Sequence, residues 1–184
     1  MINKFYTSKW VILLLMLMSH HLTSQISEVG LELQIYPTGI IPTINMDHNF
    51  GDKHNVHARI GLNLFNHRNL GKQDQEKGSG FGFSLGYRKY FKEKFQGWRI
   101  GIKNDLWWNT VNWRNGINNP NEDSGQTKIL VLQPTVEIAK VYRKDSWSIS
   151  PSLALGIEWN VITDGLPTGE GPIVLLGVQI MKHI

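Results

Sequence analysis

The sequence predicts an all-β fold, an eight-stranded antiparallel up-and-down transmembrane β-barrel, from three observations. About eight segments of roughly ten residues alternate apolar and polar side chains, and helical periodicity is nearly absent. Tryptophans mark both ends of the apolar face, at Trp98 and Trp108 and again at Trp147 and Trp159. Ten residues of strand at about 3.3 Å each, tilted near 40°, rise about 25 Å, the height of a bilayer's apolar band. Long and short connections alternate from the third segment onward, as in a barrel with turns on one side and loops on the other.

The first element is not part of the barrel. Lys4 and Lys9 precede the nine apolar residues Trp10 to Met18, and Leu22-Thr23-Ser24-Gln25 follow. That is the anatomy of a secretory signal peptide, and the run is too short for the roughly 20 residues of a spanning helix. Residues 1–25 are therefore expected to be cleaved, leaving 26–184 as one domain. The whole chain holds 19 basic and 15 acidic residues; without Lys4 and Lys9 the balance is 17 to 15, a formal +2. So small a surplus argues against nucleic acid as a partner. No cysteine is present, which excludes disulfides, thiol chemistry and a lipidated N-terminal cysteine. With no later apolar run of helical length, any membrane crossing falls to a closed barrel.

The expected strands run through residues 28–37, 40–48, 55–66, 79–91, 97–109, 127–141, 146–160 and 171–183. The clearest is the fourth. There Phe81, Phe83, Leu85 and Tyr87 face one way, and Gly82, Ser84, Gly86 and Arg88 the other. In the fifth, Trp98, Ile100, Ile102, Leu106 and Trp108 oppose Arg99, Gly101, Lys103 and Asp105, with Asn104 an exception on the apolar side. Leu130, Leu132, Val136 and Ile138 oppose Gln133, Thr135 and Glu137 in the sixth, and the seventh sets Trp147, Leu153 and Trp159 against Ser148, Ser152 and Glu158. The second segment alternates poorly. The eighth is ambiguous, because Val174, Leu176, Val178 and Ile180 are opposed by Leu175 as well as by Gly177 and Gln179. Gly61, Gly82, Gly86, Gly101 and Gly156 fall on the polar face, where they either make room in a narrow bore or mark bends.

Segments 92–96 and 142–145 read as short turns, whereas 67–78, 110–126 and 161–170 read as long loops rich in Asn, Asp, Gly and Pro. Thr38-Gly39 is tight where a longer loop is expected. With these features assembled, residues 28–184 resemble the small outer-membrane β-barrel families, of the eight-stranded kind represented by OmpX and the OmpA membrane domain. GSGFGFSLGYRKYF and GWRIGIKNDLWW look like their amphipathic strands. The resemblance implies an outer-membrane location, contact with outer-membrane lipid and lipopolysaccharide, and delivery by the barrel-assembly machinery. Such families commonly end on an aromatic residue, and this chain ends on Ile184.

Two-face alternation alone does not say which face is inside. An outward apolar face gives a lipid-facing barrel with Trp98, Trp108, Trp147, Trp159, Tyr87 and Tyr142 as its interface girdle. An inward apolar face gives a soluble, lipocalin-like periplasmic or secreted barrel around an apolar ligand. In the first case Arg88, Arg99 and Glu137 form an ion-pair cluster in the bore, extended toward the loops by Lys103, Asp105 and Glu158, and acting as a plug rather than a conduit.

A third class is a lipid-modifying barrel enzyme, which needs a His with a Ser or acid partner. No trusted serine motif accompanies His48, His54, His57 or His67, and these read as surface or loop histidines. His54 and His57, three apart, face opposite ways and share no metal. No cofactor, metal or catalytic residue is expected. The long loops offer surfaces for an extracellular partner, with Trp113 and Arg114 in the longest as candidates.

Overall fold

A computed structural model describes residues 27–117 and 119–184; the expected signal peptide at 1–25 lies outside the described residues. Eight strands follow one another: β1 (Ser27–Tyr36), β2 (Gly39–Phe50), β3 (His54–Arg68), β4 (Gln75–Tyr90), β5 (Gly97–Asn115), β6 (Asp123–Lys144), β7 (Trp147–Asp164) and β8 (Gly171–His183). Each pairs antiparallel with the next, and β8 pairs with β1, so the sheet closes on itself without an edge. One end of the barrel carries the N-terminal residue of β1, the connections 51–53, 91–96 and 145–146, and the end of β8; this is the turn end. The connections 37–38, 69–74, 116–122 and 165–170 lie at the other, the loop end.

Apolar alternation faces outward on every strand. Leu31, Ile44, Ile60, Leu85, Ile102, Val136, Leu155 and Leu176, one per strand, are 52–64% exposed, while their strand neighbours point into the bore and are mostly buried. The inward-facing arrangement of a ligand-carrying soluble barrel is thereby overturned. The second strand, which reads poorly in sequence, alternates cleanly: Ile41, Thr43, Asn45, Asp47 and Asn49 are buried, and Ile40, Ile44 and Met46 are exposed. Pro42 and His48 on its outer face are what blur the pattern. The eighth strand resolves as well, with Val174, Leu176, Val178 and Ile180 outside and Ile173, Leu175, Gln179 and Met181 inside.

The loops are shorter than the sequence suggests. Residues 67–68, 75–78, 110–115, 123–126 and 161–164 continue the strands, so that 67–78, 110–126 and 161–170 are in large part hairpin stems, leaving 69–74, 116–122 and 165–170 as the connections. Inward side chains keep these stems paired. Trp113 is buried, 7% exposed, with Nε1–H donating to Thr127 Oγ1 at 3.2 Å, so it is no exposed loop anchor. Arg114 pairs instead with Glu122.

A register shift between Leu130 and Val131 leaves Val161 as an extra residue on β7, so Val161 and Ile162 both face outward above the inward Glu158 and Asn160. At the turn end Lys94 and Phe95 hold φ of 61° and 51°. The left-handed backbone costs about 1–2 kcal/mol per residue. It tucks the Phe95 ring under Tyr90, edge to face at 5.3 Å, closing that end with Val141.

Candidate functional site

The bore is filled in layers. Nearest the turn end lie Tyr90, Phe95 and Val141. Above them is a charged layer in which four carboxylates, Glu32, Asp47, Asp105 and Glu137, face four cations, Arg59, Arg88, Arg99 and Lys103, all 5% exposed or less. Arg59 reaches three strands at once: Nη1 donates to Glu32 at 3.1 Å and Gln34 at 2.8 Å, Nη2 to Asp105 at 2.9 Å, and Nε to Ser84 at 2.8 Å. Arg88 binds Asp47 at 2.9 Å and Glu137 at 3.3 Å, and Arg99 binds Glu137 at 3.3 Å and Gln179 at 2.8 Å. His57 Nδ1 lies 2.5 Å from Asp47 Oδ1. Equal numbers of opposite charges, most of them joined by guanidinium groups, offset the cost of burying charge in the bore.

Above this layer the filling turns apolar. Trp107 is fully buried among Tyr36, Ile41, Val111, Val131 and Leu175, its Nε1–H donating to Gln133 at 3.1 Å. Its indole needs space that the neighbouring strand β4 supplies, at the position paired with Trp107. A Cβ on Gly82 would sit 2.4 Å from Trp107 Cε3 and 2.1 Å from Leu106 O, so the glycine on the polar face is a space-maker there.

Near the loop end a cavity of about 260 Å³ remains, bounded by Tyr36, Asn63, Phe65, Asn109, Glu158 and Ile173 among others. The segment 165–170 folds over it. Glu76 carboxylate oxygens accept from the backbone N–H of Lys72, Gln73 and Gly169 at 2.9–3.2 Å, Thr127 Oγ1 donates to Leu166 O at 3.0 Å, and Gln73 Nε2 to Pro167 O at 3.1 Å. These bonds tie two loops and two strands together across the mouth.

The predicted residues sort clearly. Arg88, Arg99 and Glu137 form the expected cluster, and Asp105 joins it through Arg59. Lys103 is buried in the same layer, its charge near Asp105, Glu32 and Glu137, without a hydrogen bond to its Nζ. Glu158 is a correction. It lines the mouth cavity, with no ion pair or hydrogen bond among the described residues, and the member of the charged layer whose field reaches it is the like-charged Asp105 rather than a cation. Trp98, Trp108, Trp147, Trp159, Tyr87 and Tyr142 all stand on the outer face, 38–52% exposed.

Glu32, Asp47, His57 and Arg59 are network members that residue-by-residue reading passed over, although the period-two pattern places each on the inward face of its strand. His57 is thus a bore residue, not a surface one. His54 faces outward, its Nδ1 2.5 Å from Tyr87 Oη, so the two histidines do lie on opposite faces. Among the described residues no group of three or more His, Asp or Glu side chains is placed to hold a metal.

No protein-family model and no curated protein sequence matches the chain. Among solved structures it is similar to the N-terminal β-barrel domain of Pseudomonas aeruginosa OprF, at 15% identity over 85% of this chain and 96% of that one, with a TM-score of 0.46. It is also similar to Neisserial surface protein A, at 6% identity, 86% and 94% coverage and a TM-score of 0.47. A third is Ail, the attachment invasion locus protein of Yersinia pestis, solved with the heparin analogue sucrose octasulfate, at 6% identity, 87% and 97% coverage and a TM-score of 0.43.

Proposed function

We propose that this protein is an integral outer-membrane β-barrel of a Gram-negative bacterium, exported by its N-terminal signal, with a structural or surface-interaction role and no catalysis. The observation that carries the reading is the outward apolar belt, one exposed aliphatic residue per strand over a charged and packed bore. A belt that runs all the way round a closed sheet is far larger than the apolar patches of soluble monomers, and lipid is the solvent that suits it. Tryptophan and tyrosine at the belt's edges agree with an interfacial girdle.

The layered filling supports a plug rather than a conduit, since paired charges and Trp107 occupy the bore. A lipid-modifying enzyme would want a His facing lipid near the loop-side girdle. Here His57 is in the bore, His54 is at the turn end, and His67 lies against Glu76 at the mouth. Presentation to the cell exterior then falls to the hairpin stems and the connections 69–74, 116–122 and 165–170, which narrows the surface offered to any extracellular partner.

Fractionation of expressing cells, followed by gel mobility of the detergent-extracted protein with and without boiling, tests this reading. Recovery in the outer membrane with a heat-dependent shift is expected. Recovery as a soluble periplasmic protein would overturn it.

A further inference from the structure

The outer wall at the turn end carries a second pattern that the plugged bore does not explain. Register places Lys144, Trp147 and Lys182 side by side across β6, β7 and β8. Lys182 Nζ lies 5.9 Å from the Trp147 ring centre, and Lys140 Nζ lies 5.1 Å from that of Tyr142 and 5.7 Å from that of Trp98. Ammonium groups are thereby held against aromatic faces on the outer wall of β5 to β8 toward the turn end. Between Tyr142 and Trp147 an open groove of about 370 Å³ runs over Ile149 and Ile180. Glu28, a carboxylate at the same end of the barrel, is buried and taken by Arg143. Lys53, Lys89, Lys92 and Lys94 continue the positive rim, against the carboxylates Asp52, Glu93 and Asp145. Cations predominate at this end; at the loop end Arg114 is paired with Glu122, and Lys128 stands opposite Asp164.

We propose that the wall formed by Lys140, Tyr142, Lys144, Trp147 and Lys182 is a binding site for the phosphate of an anionic glycerophospholipid in the leaflet at the turn end. The phosphate sits between Lys144 and Lys182 above Trp147, and an acyl chain follows the groove over Ile149 and Ile180. Charge complementarity selects the anionic headgroup, and the apolar groove selects a lipid over free phosphate. The site rests on the membrane-barrel reading.

The test uses the chain from residue 26 folded into phosphatidylcholine vesicles that contain a minority of phosphatidylglycerol, with one lipid at a time carrying brominated acyl chains. A heat-dependent gel shift first establishes insertion, and tryptophan quenching then reports which lipid is adjacent. Comparison with Trp147→Phe isolates the signal at the proposed site. Stronger quenching by brominated phosphatidylglycerol is expected there. The preference should fall about fivefold for each of Lys144→Gln and Lys182→Gln, and fall also at high salt.

An inserted barrel quenched equally by both lipids would overturn the site and leave the membrane reading standing. So would a preference that survives the double Lys144→Gln, Lys182→Gln variant, since it would belong to another part of the rim. Failure to insert into either vesicle would overturn the membrane reading and the site with it.

Discussion

Arg88 and Glu137 stand on strands that are not neighbours, and they meet at 3.3 Å over Gly101, which occupies the same row on the strand between them. The missing side chain makes the contact possible. A Cβ at Gly101 would lie 2.8 Å from Arg88 Cγ and 3.1 Å from Tyr87 O, so Gly101→Leu must push the arginine stem off its path. We expect a loss of about 1–3 kcal/mol, read as a lower urea midpoint for unfolding in detergent micelles, with Gly101→Ala the milder variant. An unchanged midpoint for Gly101→Leu would mean that the arginine does not depend on that gap.

Among the described residues, Glu137 is the carboxylate that forms ion pairs with both Arg88 and Arg99. Glu137→Gln keeps the shape and removes the charge, leaving two buried guanidinium groups short of a counter-ion. Asp47 still serves Arg88, so the loss is expected near the lower end of the 3–5 kcal/mol typical, roughly, of breaking a buried pair. Equilibrium unfolding of the variant against the parent measures it. A neutral result would show the layer to be hydrated and screened.

Leu85 lies on the belt at about mid-height, 58% exposed, between the inward Ser84 and Gly86. Leu85→Arg should cost about 2–4 kcal/mol of folding free energy in lipid, because it sets a charge against hydrocarbon. Folding yield into vesicles, scored by the heat-dependent gel shift, reads this out. Normal yield would count against an outward apolar face in lipid.

Much of this was legible in the sequence because a strand's period is two: once the apolar face of β4 or β5 is known, Arg88, Arg99 and Asp105 must point the other way. Which inward residues touch was not legible, since contacts across the bore join strands far apart in the chain, as Arg59 does with Glu32 and Asp105. Glu158 shows the limit. Period two put it on the inward face correctly, but whether a cation comes within reach of it depends on how the strands stagger round the barrel, a property of all eight strands together. Loop lengths failed for a related reason. Asn- and Gly-rich composition signals turns, yet Trp113 and Thr127 hold the β5–β6 stem together well into that stretch.

Trp107 closes the bore between the charged layer and the mouth cavity, and Trp107→Ala tests the plug directly. Removing a fully buried indole should cost about 3–5 kcal/mol and leave a cavity over Gly82 and Gly61 that water can enter. In planar lipid bilayers the parent is expected to be silent or nearly so, and the variant to show small, brief current steps. Steady conductance of the parent at the same level as the variant would show that Trp107 is no barrier.

Glu137 and Glu158 allow one chemical change to be made in two surroundings with opposite expected signs. Glu158 lies at the rim of the mouth cavity beside Tyr36 and Asn160, partly shielded from solvent and with no cation against it. A carboxylate that gives up hydration and gains no partner is a cost to the fold. Glu158→Gln is therefore expected to raise stability, by about 1 kcal/mol, where Glu137→Gln lowers it. Unfolding midpoints for the two single variants and the double variant make the comparison. The two carboxylates share no ion pair or hydrogen bond, so their effects should add to within about 0.5 kcal/mol. A destabilising Glu158→Gln would mean that a cation from solution or lipid occupies the mouth and that the carboxylate is held there for it.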